Sequence, residues 1–302
     1  LLSRRQRQMC IRDRSYTMRY VGTRMKRYTA FVETDEVYAA NGIYDLDGLK
    51  AHAKQVYDQM YPTDAGLYDD DWTNRKNPLN RFISYHLLPY YGAYNDWTVS
   101  GDIKNTCAKT DLIDCTDWYT TMLQGTIMKM STPSEGLFIN RKGVGVRYTV
   151  RGTKVLSPSE IGDVDQQALN GIYHYIDQVL DYNQETRDVV FNDRIRVMAA
   201  TLSPEFMNCG ARGNTERATG FKVVEGWDFH GKTPTMTLRK RDVWMVTYAD
   251  CIDMVGQFDV TFKLLPVPKE GTYEVRFGYG WGNMRGKVQV YFGTDPDGLL
   301  PM

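Results

Sequence analysis

No stretch of this 302-residue chain stays apolar long enough to cross a membrane as a helix. No charge-neutral N-terminal run has the form of a secretory signal. Histidine is scarce, at four residues, and the five cysteines never fall in a Cys-x-x-Cys spacing. No metal centre is therefore expected. A Gly-x-Ser-x-Gly elbow, a His-Glu-x-x-His helix and a Walker-type phosphate loop are all missing, so the best-marked hydrolase, zinc-protease and nucleotide-binding patterns are absent. Gly278-Tyr279-Gly280-Trp281-Gly282 looks like a dinucleotide fingerprint only superficially. It lies between two strand-like runs with no helix after it. No cofactor is expected. Glycosidase carboxylates leave no spacing signature, because the two partners need not be close in the chain. An enzyme acting on glycans or other surface polymers thus stays open as an alternative.

What is present is ordinary globular material, 42% hydrophobic and 25% charged, enough for two domains or one large one. The 21 tyrosines hint at surface recognition. The first residues stand apart: Arg4 to Arg14 carries five arginines in eleven residues and resembles the translation of a sequencing-library adapter. Residues 1–14 are read as foreign to the fold. Without them Lys+Arg falls from 37 to 32 and Asp+Glu from 37 to 36, giving a net charge of −4. A mildly acidic body carries no footprint for nucleic acid. A native N-terminus, with any signal or lipid anchor, is expected upstream, so contact with a membrane is expected only through such an anchor. At the other end Leu299-Leu300-Pro301-Met302 stops where a new strand would begin, so the C-terminus is expected to be truncated. Leaving Cys10 aside, Cys107, Cys115, Cys209 and Cys251 allow three disulfide pairings, with free buried thiols as the alternative.

Local signals divide the chain. Tyr28–Val32 is β-rich; Thr34 then suits an N-cap and Asp35-Glu36 a helix start, with Asn41-Gly42 to close it. Leu46, Leu49, Ala53, Val56, Tyr57 and Met60 recur at helical spacing up to Pro62. Thr63–Lys76 is an acidic, polar loop without the ligand spacing of a calcium loop. Asn77-Pro78 opens another helix, on which Leu79, Phe82, Ile83 and His86 are expected to share one face. Met122–Met130, Leu137–Asn140 and Val144–Val150 read as strands. The clearest stretch is Asn170–Leu180. Asn170-Gly171 signals a turn through tolerance of positive φ, and Ile172, His174 and Ile176 then alternate with Tyr173, Tyr175 and Asp177.

Three of these segments carry a resemblance. Tyr28–Tyr38 resembles the first motif of the fasciclin family, with Val32-Glu33 where the family more often shows Ala-Pro. Tyr85-His86 matches its Tyr-His pair, and Asn170–Leu180 resembles its second motif. The resemblance implies a compact α+β domain over residues 15–187, with a β-sandwich-like core and packed helices. A transition over 188–220 follows, and then an all-β, sandwich or jelly-roll-like domain over 221–302. In that last part Trp244/Val246/Tyr248, Phe258–Leu264, Tyr273–Phe277 and Val288–Phe292 alternate. Leu265 to Phe277 looks like the domain that follows fasciclin domains in some bacterial surface lipoproteins.

In the family, the segments around Tyr85, His86, His174 and Asp177 are linked to adhesion, which makes these residues binding candidates. Both histidines lie on apolar faces, so the plainer reading is buried imidazoles paired with backbone or hydroxyl groups. Asp177 equally suits a local cap or salt bridge. Tyr279 and Trp281, with Asn283 and Arg285 nearby, offer an aromatic platform for a sugar. The expected function is non-enzymatic adhesion or ligand binding at an extracytoplasmic, bacterial surface, with a surface protein or glycan as partner. A spacer in a surface assembly is a further alternative.

Overall fold

The computed structural model describes residues 26–98, 115–144, 146–162, 166–208, 218–221, 224, 226–239, 251–277, 286–293 and 300–301. Strand β1 (Tyr28–Glu33) buries every second residue, Thr29, Phe31 and Glu33. Helix α1 (Asp35–Ala40) follows at once, with Thr34 in the extended backbone of an N-cap but without a side-chain capping bond. Helix α2 (Leu46–Met60) starts at Asp45, whose carboxylate accepts the Gly48 N–H at 2.7 Å, and it stops short of Pro62. It buries Ala53, Tyr57 and Met60, while Leu46 stays outside.

Helix α3 (Pro78–His86) begins as its sequence predicts, with the Asn77 side chain accepting from Asn80 N–H and proline in the first turn. Its faces differ from expectation. Phe82, Tyr85, His86 and Arg81 turn inward, whereas Ile83 is 48% exposed and Leu79 is only partly buried. A step of one residue is a rotation of about 100°. Leu79 and Ile83 therefore form a ridge of their own beside the Phe82–His86 ridge.

Nine strands follow: β2 (Leu87–Leu88), β3 (Cys115–Thr120), β4 (Ile127–Thr132), β5 (Leu137–Ile139), β6 (Lys142–Val144), β7 (Arg147–Val150), β8 (Thr153–Val155), β9 (Gln166–Ala168) and β10 (Gly171–Ile176). A short helix, α4 (Pro158–Ile161), precedes β9. Two expected strands are each broken by a turn, with Ile127–Met130 lying in β4 and Arg147–Val150 forming β7. In Met122–Met130 the chain reverses around Gly125, at φ 77°, where the Thr121 and Thr126 hydroxyls bond each other. Its partner strand β3 was not legible in the alternation. In Val144–Val150 the chain doubles back as the β6–β7 hairpin.

The main sheet runs β2-β1-β10-β8-β5-β4-β3, with β9 beside β10. β1 and β10 pair in parallel, Phe31 opposite His174, and the other pairings are antiparallel. Its two ends approach each other, since Met122 N–H donates to Leu87 O at 2.8 Å and Leu123 N–H to Ser84 O at 3.1 Å. The result is a mixed α+β body around a nearly closed, barrel-like sheet. Phe31, Trp97, Trp118, Tyr119, Met128 and Ile176 belong to its buried core.

The turn before β10 also differs from the reading. Leu169-Asn170 makes the turn, and neither Asn170 nor Gly171 has a positive φ. Glycine is needed at 171 for closeness instead: a Cβ there would stand 2.1 Å from the Tyr28 carbonyl oxygen.

Residues 188–208, placed by composition in a transition, are substantially packed. Val190 and Phe191 join the main core. Ala200 and Phe206, the latter on α5 (Pro204–Asn208), join Val224 and Met236 in a second, smaller core. Around it lie β11 (Ala218–Phe221), β12 (Trp227–Asp228), β13 (Thr235–Arg239), β14 (Cys251–Val255) and β15 (Thr261–Phe262). They pair as β11-β13-β14 and β12-β15.

The chain divides into two units, Leu1–Lys269 and Glu270–Met302. In the second, β16 (Tyr291–Phe292) pairs with β17 (Leu300–Pro301). Of its alternating residues, Tyr273, Phe277, Val288 and Phe292 are 42–52% exposed, while Val275 and Val290 are partly buried. The expected strand at Trp244–Tyr248 lies outside the described residues, as do Cys10, Cys107 and Cys209.

Candidate functional site

The three resembling segments meet at one side chain. Alternation along β1 turns Glu33 inward, and a buried carboxylate must be paired. His86 on α3 supplies the partner, with Nε2 2.8 Å from Glu33 Oε1. Its other ring nitrogen lies 2.8 Å from the Phe82 carbonyl. With Glu33 ionised both partners only accept, and both ring nitrogens then donate from an imidazolium. Glu33 Oε1 also accepts the Leu180 N–H at 3.0 Å, and Oε2 accepts the Tyr38 hydroxyl at 3.0 Å.

Electrostatics follow this geometry. Burial works against ionised Glu33, but the hydrogen bond and charge of His86 and the backbone N–H bonds together outweigh it and hold the carboxyl below its usual range. Burial likewise opposes a charged His86, and the bond and charge of Glu33 with the Phe82 carbonyl and the Asp181 charge together outweigh it, so His86 titrates above the usual histidine range. Burial and the Glu33 charge push Tyr38 well up. A second pair stands alongside: His52 Nε2 lies 3.0 and 3.1 Å from the two carboxylate oxygens of Asp181. That bond raises the His52 pKa against partial burial. Phe82 packs against both His52 and His86.

The remaining candidates are also built into the frame. His174 is 4% exposed, and its Nε2 donates to the Gly92 carbonyl at 2.9 Å, with the ring packed on Phe31 and Trp97. Tyr85 is fully buried; its hydroxyl receives the Asn140 amide at 2.9 Å. Asp177 accepts Arg151 Nη2 at 2.6 Å and the Lys154 N–H at 2.8 Å, a local lock between β8 and the end of β10. Sequence reasoning thus found His86 but missed its partner Glu33, the Tyr38 and Leu180 groups that also bond Glu33, and the His52–Asp181 pair. The signal for Glu33 was its place on the Thr29–Phe31 face. Tyr279, Trp281, Asn283 and Arg285 lie outside the described residues.

The surface offers a different feature. On the outer ridge of α3, a groove of about 270 Å³ is lined by Trp72, Leu79, Asn80, Ile83, Ser84 and Leu87. The loop that presents Trp72 is pinned from α3. Asn77 donates to the Tyr68 and Asp69 carbonyls at 2.8 and 3.0 Å, and Asn80 donates to the Trp72 carbonyl at 3.0 Å. Arg81 and Lys76 both pair with Asp64. Trp72 itself is 72% exposed. A tryptophan among the mostly polar residues of Thr63–Lys76, a stretch that also holds Leu67 and Tyr68, was its sequence signal.

Among the described residues no group of His, Cys, Asp or Glu suits a metal ion, and no helix is long and apolar enough to cross a membrane. Neither the family models nor the curated proteins compared with the chain match it.

Proposed function

We propose that this chain is a non-enzymatic, extracytoplasmic adhesion or ligand-binding protein. Its first part is a fasciclin-type α+β domain, and a β-sandwich-type region follows. The observation that carries this reading is the convergence on Glu33. Segments that resemble the two family motifs and the Tyr-His pair are far apart in sequence, yet they supply Glu33, His86 and the Leu180 N–H to one buried knot. Glu33 itself stands where the family more often shows proline, so the support comes from the meeting of the three segments and not from a shared motif residue.

In this reading the motif residues Tyr85, His86, His174 and Asp177 hold the frame, and exposed aromatic side chains do the binding. Tyr279 and Trp281, with Asn283 and Arg285, remain the proposed glycan contacts of the second region, and a surface protein is the other class of partner. Beads carrying the full chain test the reading on surfaces coated with glycans or matrix proteins. Adhesion to one class above an albumin-coated surface is the expected result. Equal settling on every coating overturns it.

A further inference from the structure

We propose that the groove on the outer ridge of α3 is a subsite for a neutral sugar ring, with Trp72 as its stacking platform. The inference rests on the ligand-binding reading above and gives it a place in the α+β body.

A tryptophan 72% exposed contributes little to the core, and large aromatic side chains left open beside apolar neighbours mark recognition surfaces. Here the neighbours are Leu79, Ile83 and Leu87, so ring and floor together present an apolar concavity. The indole face carries negative charge density, which attracts the slightly positive C–H face of a pyranose. Two polar side chains lie in the same groove. Asn80 and Ser84 are joined by a 3.2 Å bond from the hydroxyl to the amide oxygen. They supply the few placed hydrogen-bonding groups that fix a ligand's orientation.

Charge selects the ligand class. No groove-lining side chain is titratable. Lys54 is paired with Asp58 and Asp69, and Lys76 and Arg81 with Asp64. In the chain Asp70 and Asp71 precede Trp72 and Arg75 follows it, a local balance of −1 that disfavours anions. A neutral polyhydroxyl ring fits that balance; a phosphate or sulfate does not. The groove's volume falls just under the roughly 300–1,000 Å³ of drug-sized ligand sites, which suits one ring of a longer glycan. Loop pinning by Asn77 and Asn80 holds the platform in place before binding, lowering the ordering cost of association.

The test uses the full chain, its Trp72→Ala and Trp72→Tyr variants, and four neutral hexasaccharides (β-glucan, xylan, mannan and chitin), titrated by calorimetry up to roughly 10 mM. Melting temperatures are recorded alongside. Binding of at least one hexasaccharide is expected, weakened about tenfold or more by Trp72→Ala and largely restored by Trp72→Tyr, with the melting temperature unmoved. Wild-type binding that Trp72→Ala leaves intact overturns the subsite alone, and the binding reading survives. Failure of the wild-type chain to bind any of the four overturns the subsite; the bead assay on matrix proteins then decides the broader reading separately.

Discussion

Glu33 and His86, 53 residues apart, form an ion pair at 2.8 Å with side chains only 2% and 7% exposed. Around it gather α1 through Tyr38, the end of α3, and the chain beyond β10 through Leu180. Removing one partner of such a pair strands the other charge in the interior. Glu33→Gln should therefore cost about 3–5 kcal/mol in unfolding free energy, read by urea denaturation. A loss under about 1 kcal/mol would show that the knot does not hold the fold together.

The pair also sets a pH dependence. Glu33 titrates below its ordinary 4.5, so its contribution is complete above 4.5 and is lost as pH falls through the lowered value. His86 titrates above its ordinary 6.5, so its contribution is complete below 6.5 and is lost as pH rises through the raised value. The melting-temperature gap between wild type and Glu33→Gln should be widest between pH 4.5 and 6.5 and narrow on either side. A gap that is flat from pH 3 to 9 contradicts the pairing.

His52 supplies a spectroscopic counterpart. Its bond to Asp181 raises its pKa, so protonated His52 stabilises the fold below the unfolded value, and that contribution is lost as pH rises through the folded one. In an NMR titration, Asp181→Asn should bring the His52 pKa down. An unmoved His52 would mean that the contact does not persist in solution.

Two glycines separate closeness from backbone conformation. At Gly171 a Cβ would lie 2.1 Å from the Tyr28 carbonyl, whereas at Gly42, with φ 76°, it would meet nothing within 4 Å. Gly171→Ala should thus cost about 3 kcal/mol or more by forcing β1 and β10 apart. Gly42→Ala should cost only about 1–2 kcal/mol, for left-handed backbone. Thermal melts of the two variants check the order.

Local periodicity made much of this body legible. The β10 alternation of Ile172, His174 and Ile176 and the Leu46–Met60 helix lie where the sequence puts them, because each pattern reports a single buried face. β3 escaped because Asp117, Trp118 and Tyr119 are all buried, so no alternation survives. The hairpin within Met122–Met130 escaped because its turn is flanked by apolar residues on both sides. Ile83 misled because an apolar position looks the same whether it faces the core or the solvent, whereas Leu79 packs partly against the core. At the site, His86 was visible as a histidine on an apolar face. Its partner Glu33 was not, since pairing across 53 residues is a property of the β1–β10 register and the α3 packing. The Trp72 groove depends on a loop pinned by Asn77, which no local pattern reveals.

The proposed function is binding without turnover. It is tested most directly by incubating the full chain with glycan polymers and following both retention on the polymer and its chain length. Saturable retention with the polymer length unchanged is the predicted result. Shortening of any polymer, abolished when the protein is heat-denatured, would contradict it and establish an enzyme instead.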